Sequence, residues 1–264
     1  MSQRLLAIIG SGGMGLAIAR RLGSGRRIIL GDLNPDAATA TLLGEGDNVS
    51  PLHVDVSSLA SVQAMAKLGP FETIIHTAGV SPTIATAEKI YEVDLRGTAH
   101  VIDAFVGQVK EGGSLVCISS MAGHFAKLPP ELERHLGSAR TEDLVLESFP
   151  KDPGEAYVLA KRGNILRVQA AAKRYGDVGA RINSVSPGVI QTSMGAAELK
   201  GPSGVYMQAM VGLSGCKRVG TPDDIAAVVA FLCGQDASYI TGNDILVDGG
   251  TVAGQVWRDV SEDK

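Results

Sequence analysis

Aromatic residues make up only 4% of the 264-residue chain, cysteine occurs three times, and no stretch reaches eighteen consecutive apolar residues. Each scarcity excludes something. A membrane-spanning helix needs roughly 18 or more apolar residues in a row, so none is predicted. The run Leu5–Ile9 is also far too short for a signal peptide. Cys117, Cys216 and Cys233 are odd in number and widely spaced, which argues against a disulfide framework or a zinc site. Reduced, buried thiols in a cytoplasmic protein are expected. Charge of one sign is lacking as well. The 24 Lys and Arg against 28 Asp and Glu leave a net charge of −4 with no basic block, so no nucleic-acid partner is expected. His53, His100, His124 and His135 have no metal-type spacing, and neither metal nor chemistry is assigned to them.

Glycine is what the chain has in excess. Its 33 glycines exceed the usual ~7% and are assigned to turns and to places where a ligand meets backbone. An apolar fraction of 45% and a mean hydropathy of +0.15 describe an ordinary globular protein. The length suits one large α/β domain.

Leu5–Ile9 is an unbroken apolar run, as a strand buried on both faces should be. A glycine cluster follows, then a helical period over Met14–Leu22. Further strands are predicted at Arg27–Leu30, Val49–Val54, Thr73–His76, Ser114–Ser119, Arg181–Val185 and Asp244–Val247. Between them fall a helix opened by Asn34-Pro35, one capped by Ser57 and running to about Leu68, and others at Tyr91–Val109, Tyr157–Tyr175 and Asp223–Cys233. Strands alternating with helices mean a parallel sheet covered on both faces. The expected architecture is a single-domain, Rossmann-type, doubly wound parallel sheet of seven strands over residues 1–264, ending in a short tail at 253–264. Residues 122–152 interrupt it. They carry Pro129-Pro130 and two predicted short helices, near Glu131–Leu136 and Glu142–Phe149, and read as an inserted segment.

Gly10-Ser11-Gly12-Gly13-Met14-Gly15 contains Gly-x-Gly-x-x-Gly between a strand and a helix. The first glycine permits a tight turn, the second lets backbone approach a pyrophosphate, and the third allows close helix–strand packing. Asp32, 22 residues after Gly10 at the end of the second strand, is placed to accept bonds from ribose hydroxyls. A 2′-phosphate there would meet a negative charge, and no cation follows in Leu33-Asn34. NAD is favoured over NADP. The other reading of both features is a flexible turn before a helix.

Tyr157 and Lys161 stand four apart on one helical face. At about 4 Å and an effective dielectric near 20, the ammonium is worth roughly 4 kcal/mol to a phenolate, or about three pKa units.

Together these residues resemble the short-chain dehydrogenase/reductase family over about residues 4–252. Further matches are His53-Val54-Asp55-Val56, Thr77-Ala78-Gly79, Ile118-Ser119-Ser120, the run Arg181–Thr192, and Ile240-Thr241-Gly242-Asn243 followed by Val247-Asp248-Gly249-Gly250. The resemblance implies that Tyr157 is the general acid/base and that Lys161 lowers its pKa and holds the nicotinamide ribose. It also implies that Ser120 hydrogen-bonds the substrate oxygen, Asp55 and Val56 hold the adenine, and Ala78 and Gly79 complete the cofactor wall. Pro187, Gly188, Val189 and Thr192 would line the nicotinamide. The implied activity is NAD(H)-dependent interconversion of a secondary alcohol and a ketone, in a homo-oligomer (dimer or tetramer).

The chain departs from the family pattern in three ways. Its common glycine spacing from Gly10 falls on Met14 and Leu16. His76 replaces an Asn and is read as structural. Asp94 stands at the usual catalytic Asn, whose main-chain carbonyl helps hold a water beside the lysine. The Asp either keeps that role or adds a charge.

Met194, Leu199, Val205, Met207, Met210 and Val211 suit either an apolar, steroid-like substrate or a helix packing its core face. Ser120 and Tyr157 are 37 residues apart, against about a dozen residues commonly lying between them in the family. Similar insertions occur in some hydroxysteroid dehydrogenases and carbonyl reductases, and the segment is expected to shape the substrate entrance and alter oligomerisation. The competing reading is an NAD(H)-binding sensor whose chemistry has been lost.

Overall fold

The computed structural model describes residues 4–35, 48–201 and 204–258. The helix expected after Asn34-Pro35 lies outside the described residues. Seven strands form one parallel sheet: β1 (Leu5–Ile9), β2 (Arg27–Asp32), β3 (Val49–His53), β4 (Phe71–His76), β5 (Val109–Ile118), β6 (Arg181–Pro187) and β7 (Asp244–Val247). Their order is β3-β2-β1-β4-β5-β6-β7. The chain reverses direction across the sheet between β1 and β4, and ligands of such sheets bind at that switch point, beyond the strands' carboxyl ends.

Alternate residues of the strands enter two cores. Leu6, Ile8, Leu30 and Ile75 pack on one face beneath α1 (Gly13–Leu22). Ala7, Ile9, Ile29 and Ile74 face the other way, towards α2 (Leu59–Ala66) and the helices that follow. Burial on both faces is why the strands read as continuous apolar runs. Ser58 caps α2, accepting from the Ser61 amide. The cap expected at Ser57 is therefore displaced by one residue, because the Asp55 carboxylate takes both the Ser57 amide (2.9 Å) and hydroxyl (2.7 Å).

The helix expected over Tyr91–Val109 is a composite. Thr86 caps α3 (Ala87–Ile90), a π-turn spans Tyr91–Arg96, and α4 (Gly97–Phe105) completes it before a 3₁₀ turn leads into a longer β5. In the inserted segment, α5 (Pro130–Ser138) forms as expected, but only a 3₁₀ turn at Thr141–Asp143 stands where the second helix was expected. Leu136, Leu144 and Phe149 build a third core with Tyr91, Leu95 and Leu159. Leu159 belongs to α6 (Pro153–Gly176), which is capped by Asp152 and carries Tyr157 and Lys161. Beyond β6 come α7 (Ser193–Lys200), α8 (Gly204–Leu213), α9 (Pro222–Cys233) and α10 (Thr251–Val256).

Among the described residues no helix is long and apolar enough to cross a membrane. The three cysteines are free. Cys117 is buried, and burial pushes its thiol up to about 12, but Cys216 is exposed, contrary to expectation.

Candidate active site

The glycine loop turns sharply because Gly10 holds φ +103°, in the left-handed region that side chains avoid. Its neighbours leave no room for one: a Cβ would lie 2.6 Å from the Ala78 nitrogen. Gly15 is closer still to the turn, and a Cβ there would sit 2.0 Å from the Gly10 carbonyl oxygen. This close approach lets α1 begin directly at Gly13, against the end of β1. A Cβ on Gly12, the helix's N-cap, would meet nothing within 4 Å. The loop therefore offers bare backbone and free helix N-terminal amides to open space, a suitable cradle for a pyrophosphate.

That space is a cavity of about 300 Å³. Gly10, Gly12, Gly13, Met14, Gly15, Asp32, Leu33, Asp55, Val56, Ala78, Gly79 and Thr192 all line it, as does Met194. Asp32 accepts from the Ser11 amide (2.7 Å) and hydroxyl (2.9 Å) and from the Asn34 amide (3.0 Å). Burial works to raise its pKa, but these donors outweigh it and hold the carboxyl below its ordinary value. The carboxylate has acceptor capacity left for ribose hydroxyls. These residues fit a dinucleotide.

Pro187, Gly188 and Val189 do not line this cavity. Gly188 and Val189 border a separate hollow, of about 210 Å³, and Val189 packs with Met121 and Met210.

The Ser119 hydroxyl donates to the Lys161 carbonyl at 2.8 Å, and a Cβ on Gly123 would come within 2.9 Å of the same stretch of α6 backbone. The turn that begins at Ser120 is thus pressed against the helix of Tyr157. Ser120 Oγ accepts from the Ala122 amide at 3.1 Å, leaving its hydroxyl proton available to a substrate oxygen. Lys161 Nζ lies 5.1 Å from the centroid of the Tyr157 ring, the adjacency that the four-residue spacing predicts.

Lys161 also has a partner that the spacing does not reveal. Its ammonium meets Asp94 Oδ2 at 3.1 Å, with both side chains buried. Asp94 Oδ1 accepts from the Val80 amide at 2.8 Å. Among the described residues Oδ2 has no other donor, so the lysine's charge is its sole compensation. Burial raises the Asp94 pKa on balance, against the pull of Lys161 and the Val80 amide. Burial alone would lower Lys161, but the Asp94 carboxylate and Tyr157 together raise it. The Asp94 main-chain carbonyl is itself engaged, accepting from Thr98 Oγ1 at 2.7 Å. His76 Nε2 bonds the same hydroxyl at 3.0 Å. Because Thr98 donates onward, the imidazole carries its proton on Nε2. Burial, helped by the charge on Lys161, pushes His76 down to about 3, so it is neutral.

His124, assigned no chemistry from its spacing, pairs with Asp244 at 2.8 Å. Asp244 Oδ1 also accepts from Ser184 (2.6 Å) and Ser186 (3.0 Å). His124 lines a cavity of about 540 Å³ with Met121, Phe125, Val158, Tyr206 and Met210. Met121 follows Ser120 and Val158 follows Tyr157 in the chain, but neither Ser120 nor Tyr157 lines this largely apolar space. The methionines and Tyr206 beyond Thr192 divide between core and cavity wall.

A dinucleotide cradle at the switch point, with a Tyr–Lys pair on the adjoining helix, defines the class of nicotinamide-dependent oxidoreductases. Residues 5–129 match the family model described as short chain dehydrogenase, and residues 144–252 the one described as enoyl-(acyl carrier protein) reductase. The chain is 39% identical over 266 residues to short-chain dehydrogenase/reductase bsc3 of Alternaria brassicicola, covering 96% of this chain and 97% of that protein. It is 27% identical to 3beta-hydroxysteroid dehydrogenase 2 of Eggerthella lenta, over 91% of each. A solved short-chain dehydrogenase/reductase of the glucose/ribitol dehydrogenase type from Brucella melitensis superposes with a TM-score of 0.74 at 26% identity, covering 94% of this chain and 96% of that one. The chain belongs to the short-chain dehydrogenase/reductase family.

Proposed function

We propose that the protein is an NAD(H)-dependent dehydrogenase interconverting an apolar, steroid-like or comparable secondary alcohol and its ketone. The observation that carries this reading is the buried Lys161 beside the Tyr157 ring, next to a glycine-walled cavity that includes Asp32. Tyr157 takes the hydroxyl proton during oxidation and returns one during reduction. Ser120 donates to the substrate oxygen and holds it where charge develops. Lys161 stabilises the phenolate and, with Thr192 and Gly79, positions the nicotinamide half of the dinucleotide. When bound, the nicotinamide would supply the acceptor for the carbinol hydride. The apolar cavity beside Met121 and Val158 supports an apolar substrate, as does the name of the Eggerthella relative.

Asp32 favours NADH, since an added 2′-phosphate would approach a carboxylate held ionised by Ser11. Titration is expected to give tighter binding of NADH than of NADPH, with Asp32→Ser narrowing the gap by about tenfold or more. Wild-type protein should then reduce NAD⁺ with hydrophobic secondary alcohols. Tyr157→Phe should lose roughly 10²–10⁴-fold in turnover while retaining NADH affinity. Equal turnover by the two would remove Tyr157 from the chemistry. A second reading, an NAD(H)-binding sensor with little activity, has one observation in its favour: Asp94 offsets the charge that Lys161 brings to Tyr157. It predicts NADH binding with every alcohol and ketone left unchanged.

A further inference from the structure

Asp94 is seated in the π-turn at zero exposure, and the Val80 amide orients its carboxylate. A Cβ on Gly79 would lie 3.3 Å from both Asp94 Oδ1 and Lys161 Nζ. Gly79 and Val80 line the dinucleotide cavity, so the ion pair stands directly behind its wall. Gly79 follows β4, while Asp32 ends β2, two strands away in the sheet. At the usual strand spacing that is about 10 Å. The pair therefore lies towards the end of the cavity away from the ribose site at Asp32, where the nicotinamide half belongs.

We propose that the Asp94 carboxylate, by cancelling the ammonium of Lys161 behind this wall, biases the site towards oxidised nicotinamide and the enzyme towards alcohol oxidation. The inference rests on the nicotinamide reading given above. Oxidised nicotinamide carries one positive charge on its ring, whereas the reduced ring carries none. An uncompensated ammonium nearby penalises only the oxidised form. With Asp94 ionised, the pair presents no net charge, and that penalty is lifted. In oxidation the carbinol carbon loses a hydride to the nicotinamide and its hydroxyl loses a proton to Tyr157. Atoms and electrons balance without a further reactant. Asp94 acts through Lys161 and is a positioning residue.

Charge, rather than residue identity, should govern the outcome, and four proteins separate the two. With the remaining groups ionised, the wild type carries no net charge at this pair, Asp94→Asn carries +1, Lys161→Met carries −1, and the double variant carries none. Dissociation constants for NADH would be measured by its fluorescence, and those for NAD⁺ by competition. Relative to wild type, Asp94→Asn should lower the preference for NAD⁺ over NADH by about tenfold. Lys161→Met should raise it by a similar factor, and the double variant should return to within about threefold of wild type. A ratio that is the same in wild type and Asp94→Asn would overturn the proposal, as would a double variant that follows Asp94→Asn. Should Asp94→Asn not fold with a lone buried ammonium, Lys161→Met against the double variant reads the same carboxylate. If the wild type binds neither cofactor, the nicotinamide reading fails and takes this inference with it. Binding with a flat ratio refutes this inference alone.

Discussion

His76 is a buried base in a site otherwise governed by carboxylate, ammonium and phenol. Its neutral ring supports Thr98, and Thr98 holds the main chain of Asp94, so its protonation state is coupled to the geometry of the ion pair. In the folded protein burial lowers its pKa from 6.5 to about 3. As pH falls below about 6.5, the unfolded chain's imidazole takes up a proton that the folded one refuses. Stability from this residue is therefore complete above that value and declines between about 6.5 and 3, by roughly 2 kcal/mol at pH 5. Thermal melts from pH 7 to 5 should show the decline, and His76→Asn, which can still bond Thr98, should flatten it. An unchanged slope would mean that His76 is not the group responsible. The structural role read for His76 in the sequence agrees with its burial. The contacts of Asp94 and His124 were not legible there. Asp94 meets a lysine on a helix reached only after the whole inserted segment, and His124 meets an aspartate on the last strand. Neither pairing leaves a local pattern.

Elements were legible where periodicity and punctuation agree. Leu5–Ile9 and Asp244–Val247 coincide with the observed strands, because burial on both faces or a glycine-bounded edge marks their ends. The π-turn was hidden, since an i→i+5 turn leaves no apolar period of its own. The missing second helix of the insertion has a different cause. Leu144 and Phe149, five residues apart, do not share one face of a helix, and both are buried by an irregular chain. Its Phe149 ring packs 5.5 Å from Tyr91, whose hydroxyl donates to the Pro150 carbonyl at 2.9 Å. At the glycine loop, two positions that look alike in sequence should behave differently. Gly15→Ala forces a methyl into backbone and should destabilise the fold by about 3 kcal/mol or more. Gly12→Ala should leave the melting temperature nearly unchanged yet weaken NADH binding, because its methyl enters the open cradle. Melts and NADH titrations of both variants would check this, and a stable Gly15→Ala protein would contradict the close approach.

At the scale of the whole molecule, α6 is held by two cores. Val168, Ala171 and Tyr175 pack on the sheet, whereas Ala156, Leu159 and Ala160 pack on the inserted segment. Arg167 fastens that segment, donating to the carbonyls of Leu136 (3.2 Å) and Ala139 (3.0 Å). Units of this kind open separately from the global fold. Amide exchange should accordingly be faster in α5 than in β1, β4 and β5. Leu136→Ala, which removes a fully buried side chain, should weaken its surroundings by about 2–5 kcal/mol and accelerate exchange mainly in α5. Uniform acceleration across the sheet would instead show a single cooperative unit. A helix gripped in this way joins two halves that can vary separately: relatives could exchange the inserted segment as a cassette, its surface drifting freely while Leu136, Leu144 and Phe149 continue to fill the same hollow.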